Sequence, residues 1–179
     1  MKCKRNDKDK LHSNNSGYSI IELIIVLAII AVLMGSVFYS IILVFSANAK
    51  SCANNIQRSI GDCKVTTMGK ADAYMELYRN DDGIYTRMHV TESDGTTTDG
   101  EPQKVGTTKV EVGYVQGSTE TQLMPGDSIQ IRFDRSSGGF KAGASGIYDE
   151  IYVRGGSKNY AIVMTELTGK SEVEARPMP

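Results

Sequence analysis

From Leu23 to Ala49 the chain carries no charged residue, and the apolar run that fills most of this stretch extends to Phe45. That is longer than the ~20 apolar residues a helix needs to cross a membrane. Past Phe45 the apolar positions narrow to a stripe of Ala49, Cys52, Ala53, Ile56, Ile60 and Cys63. This is the spacing of one helix face, and it turns Lys50, Asn54, Gln57 and Arg58 outward. The pattern predicts one helix over 18–67, membrane-spanning in its first half (20–45) and one-faced in its second. Gly35 and Gly61 are its weak points.

After Thr67 the period changes to two. Tyr74, Glu76 and Tyr78 alternate with Met75 and Leu77, and Asn80-Asp81-Asp82-Gly83 then turns the chain into Ile84–Thr91, a hairpin. Residues 92–108 read as an exposed loop: Thr, Gly, Asp and Glu dominate, Pro102 interrupts, and Val105 is the one apolar residue. Further strands are predicted at Lys109–Val115, Ser128–Asp134, Tyr148–Arg154 and Asn159–Thr165, with Gly155-Gly156 as a tight turn between the last two. Ile129, Ile131 and Phe133 face one way, and Ser128, Gln130 and Arg132 the other. Such strands make an antiparallel sheet with one covered face, for which the helix stripe is the natural cover. The expected fold is therefore α+β, a long N-terminal helix packed on an antiparallel β head over 68–179, with a loose charged tail after Gly169.

Charge adds an orientation. The first 17 residues hold Lys2, Lys4, Arg5, Lys8 and Lys10 against Asp7 and Asp9, a balance of +3; the remainder has 15 basic and 19 acidic residues. A basic segment before a span keeps that end in the cytoplasm and places the rest outside it. An ordinary secretory signal is the nearest competitor, since Ala47-Asn48-Ala49 supplies a small-x-small site. Its apolar core, however, runs only ~7–15 residues, about half the run present here. Lys50-Ser51 ahead of Cys52 is unsuited to a lipoprotein site. Residues 1–17 are read as a targeting leader, outside the fold.

One carboxylate, Glu22, stands at the start of the apolar run, where an ionisable group costs roughly 2.5–3.5 kcal/mol on insertion scales and is a functional candidate by default. The basic leader, then Gly17-Tyr18-Ser19-Ile20-Ile21-Glu22-Leu23, resembles the cleavage and methylation site of type IV prepilins and pseudopilins. The usual pattern there is Gly, the cut, then Phe-Thr-Leu-Ile-Glu-Leu; Tyr18 and Ser19 are mild departures and Glu22 is in place. The C-terminal third also resembles the GspH/FimT group of minor pseudopilins and minor pilins. The likeness lies in Ile131-Arg132-Phe133-Asp134 with Ser137-Gly138-Gly139, and in Tyr160-Ala161-Ile162-Val163 with Thr168-Gly169-Lys170.

The resemblance implies a structural subunit, not an enzyme. A prepilin peptidase would cut between Gly17 and Tyr18, and the new amino group of Tyr18 would be methylated. The subunit would wait in the bacterial cytoplasmic membrane and join an extracytoplasmic filament with sister subunits, by way of a membrane-embedded assembly platform. Glu22 would serve assembly by pairing with the N-terminus of the neighbouring subunit. Pilus, secretion pseudopilus and competence pseudopilus all fit. The rival from another class is a single-pass anchored protein whose exposed β domain binds a ligand on its own.

Other chemistry is thin. The two histidines, His12 and His89, spell out no triad or metal cluster, and neither a catalytic residue nor a cofactor is expected. His89 shares a strand face with Arg87 and is expected to face solvent. Asp94, Asp99 and Glu101 supply hard oxygens, but at no calcium-loop spacing. Arg132, Arg135, Lys141, Arg154 and Lys158 lie near Tyr148, Tyr152 and Tyr160 in sequence. Such a face could bind DNA, but Asp134, Asp149 and Glu150 dilute it and a solvated sheet face is favoured. Cys3 falls in the leader, leaving Cys52 and Cys63. On a continuous helix they stand about 16 Å apart, too far for the ~7 Å reach of a disulfide. A bridge needs a helix break, as at Gly61; otherwise both are small buried thiols.

Overall fold

The computed structural model describes residues 18–69, 72–92, 94–143 and 146–178, with the side chains of 36–39 and 41–43 outside that set. One helix, α1, runs Ile20–Gly69. The chain divides into two compact units, the first ending at Phe38 and the second spanning Tyr39–Pro179. In the first unit every described side chain from Ile20 to Met34 is exposed.

Among the described residues, the second unit holds the rest of α1 and eleven strands. These are β1 (Asp72–Asn80), β2 (Gly83–Thr91), β3 (Thr97–Asp99), β4 (Gln103–Thr107), β5 (Glu111–Gln116) and β6 (Thr119–Gln122), followed by β7 (Ser128–Phe133), β8 (Phe140–Lys141), β9 (Glu150–Gly155), β10 (Lys158–Thr165) and β11 (Lys170–Arg176). They form two antiparallel sheets where one was expected. The first has the order β3-β2-β1-β7-β8, with β4 also on β2; the second has the order β11-β10-β9-β5-β6.

The helix stripe works as its spacing predicts. Ala49, Cys52, Ala53, Ile56, Ile60 and Cys63 are each at most 1 % exposed. They share one core with Met75, Leu77, Ile84, Ile129, Ile131 and Phe133 of the first sheet and with Val112, Ile151, Val153 and Ile162 of the second. Burying a side chain the size of isoleucine contributes about 1.5–3 kcal/mol, so the stripe is the chief bond between helix and head. Lys50, Asn54 and Arg58 point to solvent, while Gln57 donates to the Ser171 carbonyl at 2.8 Å.

Three segments depart from expectation. Residues 92–108 are not a plain loop: β3 and β4 fold back along β2, pairing Asp99 with His89 and Gln103 with Thr86. Pro102, which has no N–H to offer a ladder, lies in the break between them, and Val105 enters the core. The segment Thr119–Gln122 pairs with β5 although all four side chains are exposed. The charged tail is β11, which pairs with β10 from Thr165↔Lys170 to Asn159↔Arg176. Its Lys and Glu side chains suit an edge strand, where charge deters pairing with other chains. The Asp81-Asp82 turn is where it was expected, with Asn80 paired to Gly83 across it; the turn expected at Gly155-Gly156 lies one residue later, at Gly156-Ser157, because Gly155 ends β9 and pairs with Lys158.

Two turns tie the layers together. Asp134 accepts from the Ser136 hydroxyl, which does most to hold its carboxyl down at about 2, and from the N–H groups of Ser137 (2.9 Å) and Ser136 (2.8 Å). This β7–β8 turn meets the β10–β11 turn, where the Phe140 N–H donates to the Glu166 carbonyl at 2.8 Å. From the helix, the Lys64 ammonium donates to the Thr168 carbonyl at 2.7 Å. Gly169 has φ +59°, and a Cβ there would run into the Gly138 carbonyl oxygen.

Candidate processing and assembly segment

Ser19 starts the helix. The Leu23 N–H donates to the Ser19 carbonyl at 3.2 Å, and the Glu22 N–H donates to Ser19 Oγ at 3.2 Å. The first N–H groups of any helix lack intrahelical partners, and the Ser19 hydroxyl as N-cap satisfies one of them; glutamate three residues on gives the sequence spacing of a capping box. Ser-x-x-Glu was readable in the sequence as a cap, and Ser19 is the one residue of this segment whose role sequence reasoning missed. The cap fixes Glu22 in the first turn, where the helix dipole favours a carboxylate by about 0.3–1 kcal/mol.

Glu22 is exposed and, among the described residues, has no ion pair within the chain. Around it Ile20 is 81 % exposed, Leu23 56 % and Val32 74 %. An exposed apolar surface this continuous marks a contact surface. Tyr18 precedes the cap and is exposed; Gly17 and the residues before it, expected to be a leader, lie outside the described residues. Among the described residues no helix is long and apolar enough to cross a membrane. The described apolar side chains run only from Ile20 to Met34 before the gap at 36–39, whereas the sequence continues the run to Phe45.

The remaining candidates sit in the second unit. Cys52 and Cys63 are free and buried on a helix that is unbroken at Gly61, so the condition for a bridge is not met. Burial pushes both thiols up to about 12. The basic and aromatic residues do not gather. Arg132 and Lys141 face each other in the first sheet, while Arg154 and Lys158 belong to the second. Arg154 donates to both Glu120 oxygens at 2.7 and 2.9 Å and to Glu111 at 3.2 Å, and Tyr148 and Tyr152 are 2 % exposed. Their ring faces are therefore closed to bases.

His89 corrects its expectation outright. It is buried, with Nδ1 2.6 Å from Asp99 and Nε2 3.3 Å from Glu76. Asp94 serves its own turn, accepting from the Thr96 N–H at 2.8 Å.

Comparison with known proteins bears on the N-terminal segment alone. The prokaryotic N-terminal methylation motif matches residues 12–38. No curated protein and no solved structure matches the chain. The matched span includes the Gly17–Tyr18 junction and Glu22, and stops before both C-terminal segments that resemble the minor group. At residues 12–38 the chain thus carries the N-terminal methylation motif that is the signature of type IV pilins and pseudopilins, joined to an α+β fold of a long helix on antiparallel sheets.

Proposed function

We propose that this chain is a minor structural subunit of a type IV pilus-like filament or of a secretion or competence pseudopilus. Prepilin peptidase cuts it between Gly17 and Tyr18, the Tyr18 amine is methylated, and the subunit passes from the cytoplasmic membrane into an extracytoplasmic filament. The observation that carries this reading is Glu22, a lone carboxylate held by a helix cap at the head of an exposed apolar surface. A carboxylate in an apolar medium calls for a cationic partner. The chain supplies none among the described residues, and the new N-terminal amine of a neighbouring subunit is a cation that processing creates at the right end of the helix.

The minor role rests on the resemblance of the Ile131–Gly139 and Tyr160–Lys170 segments to the minor group. The 92–108 segment gives it no support, because β3 and β4 order much of it. The test is Glu22→Val. Cleavage and membrane insertion should persist while the subunit disappears from sheared filaments; normal recovery of the variant in filaments would sink the pairing.

A further inference from the structure

His89 sits on the outer face of the first sheet, where β3 is held to the body of the head. Its ring stacks on Tyr74 at 4.5 Å between centroids and 9° between planes. From the β7 side the Arg132 guanidinium lies 4.2 Å over that same tyrosine and pairs with Asp72 at 3.5 Å. On its own strand the neighbouring Arg87 lies over Tyr78 at 5.6 Å. The groups that face the imidazole nitrogens are both carboxylates, Glu76 from β1 at 3.3 Å and Asp99 from β3 at 2.6 Å. A neutral imidazole can donate from only one nitrogen, so only the doubly protonated ring satisfies both carboxylates.

The strand on the far side of this contact has little else to hold it. Thr97, Thr98 and Asp99 are all exposed and bury no apolar side chain. Besides three ladder pairs, their region is tied by the Thr91–Thr97 hydroxyl contact at 3.1 Å, by the Glu92 N–H to the Thr96 carbonyl at 2.9 Å and by the Gly100 N–H to the Met88 carbonyl at 2.7 Å. Short, exposed pairing of this kind opens locally at low cost.

We propose that His89 is a pH-dependent latch: as imidazolium it ties β3 to β1 through Asp99 and Glu76, and on losing its proton it releases the Thr97–Asp99 segment. Deprotonation turns one ring nitrogen into an acceptor facing a carboxylate, which removes a charge-assisted bond and sets two acceptors against each other. Gaining the proton therefore makes the tie, and losing it breaks the tie. The edge of the head then differs between acidic and alkaline surroundings while the core stays unchanged.

The test is hydrogen exchange by mass spectrometry on the full chain in detergent micelles at pH 5.5 and 8.5, with rates corrected for the intrinsic pH dependence. Protection of the segment containing Thr97–Asp99 should fall roughly ten-fold at the higher pH, the lower end of what a charge-assisted bond contributes. The Glu150–Gly155 segment should not change. His89→Phe keeps the ring stacked on Tyr74 and should abolish the pH dependence. Asp99→Asn, at an exposed position, should weaken it without touching the core. Equal wild-type protection of β3 at both pH values, or pH dependence that survives in either variant at full size, overturns the latch.

Discussion

Gly169 and Gly117 share a backbone conformation, φ +59° in each, but not an environment: a Cβ on Gly117 meets nothing within 4 Å, whereas one on Gly169 collides with the Gly138 carbonyl and comes 3.0 Å from Phe133 Cε1. Both alanine variants incur the left-handed penalty of about 1–2 kcal/mol. Gly169→Ala must also push apart the two turns joined by the Phe140 N–H to Glu166 bond and the Lys64 to Thr168 bond. Losing two such bonds adds about 2–3 kcal/mol, the lysine discounted because it is exposed. Gly169→Ala should therefore cost about 3–5 kcal/mol against about 1–2 for Gly117→Ala. At about 3 °C per kcal/mol for a unit of this size, the two melting temperatures should differ by about 6–9 °C. The assay is thermal melting of the full chain in detergent, followed by near-ultraviolet circular dichroism of the tyrosines in the head. Equal shifts for the two variants would refute the claim that this contact binds helix and sheets together.

Two further outcomes follow from the same structure. Cys52 and Cys63, buried and held near 12, should resist iodoacetamide at pH 8 in the native chain and both react in denaturant; a pair that stays unlabelled in denaturant would contradict the free thiols. The minor role requires that quantitative mass spectrometry of purified filaments find this chain as a small fraction of the protein, and finding it as the bulk component would remove that assignment.

The elements that sequence made legible are those whose signal is local. The stripe from Ala49 to Cys63 reads directly as a buried face because helix periodicity and burial report the same geometry. The Asp81-Asp82 turn is similarly explicit, and Ile129, Ile131 and Phe133 alternate cleanly into the core. The partition into two sheets was not legible, because a two-residue period says which face is buried but not which strand is the partner. The chain changes sheet after β4, β6 and β8, and nothing in the alternation marks those crossings. Edge strands were missed for a related reason: Thr119–Gln122 has no buried side, and the Lys and Glu residues of β11 mask the spacing of Val173 and Ala175.

At the candidate sites, Tyr18 and Glu22 were legible as a linear motif. His89 was not, because its carboxylate partners lie 13 residues before it and 10 after it, and only the strand registers bring them onto the ring. The same registers scatter the basic residues that stood close in sequence.

The account turns on the junction ahead of Tyr18. Expressing the precursor together with a prepilin peptidase and reading the N-terminus of the product by mass spectrometry tests it most directly. The predicted product begins at Tyr18 and carries one added methyl group on its amine where the enzyme also methylates. An uncut chain, or one that begins at Lys50 after cleavage behind Ala49, would contradict the account.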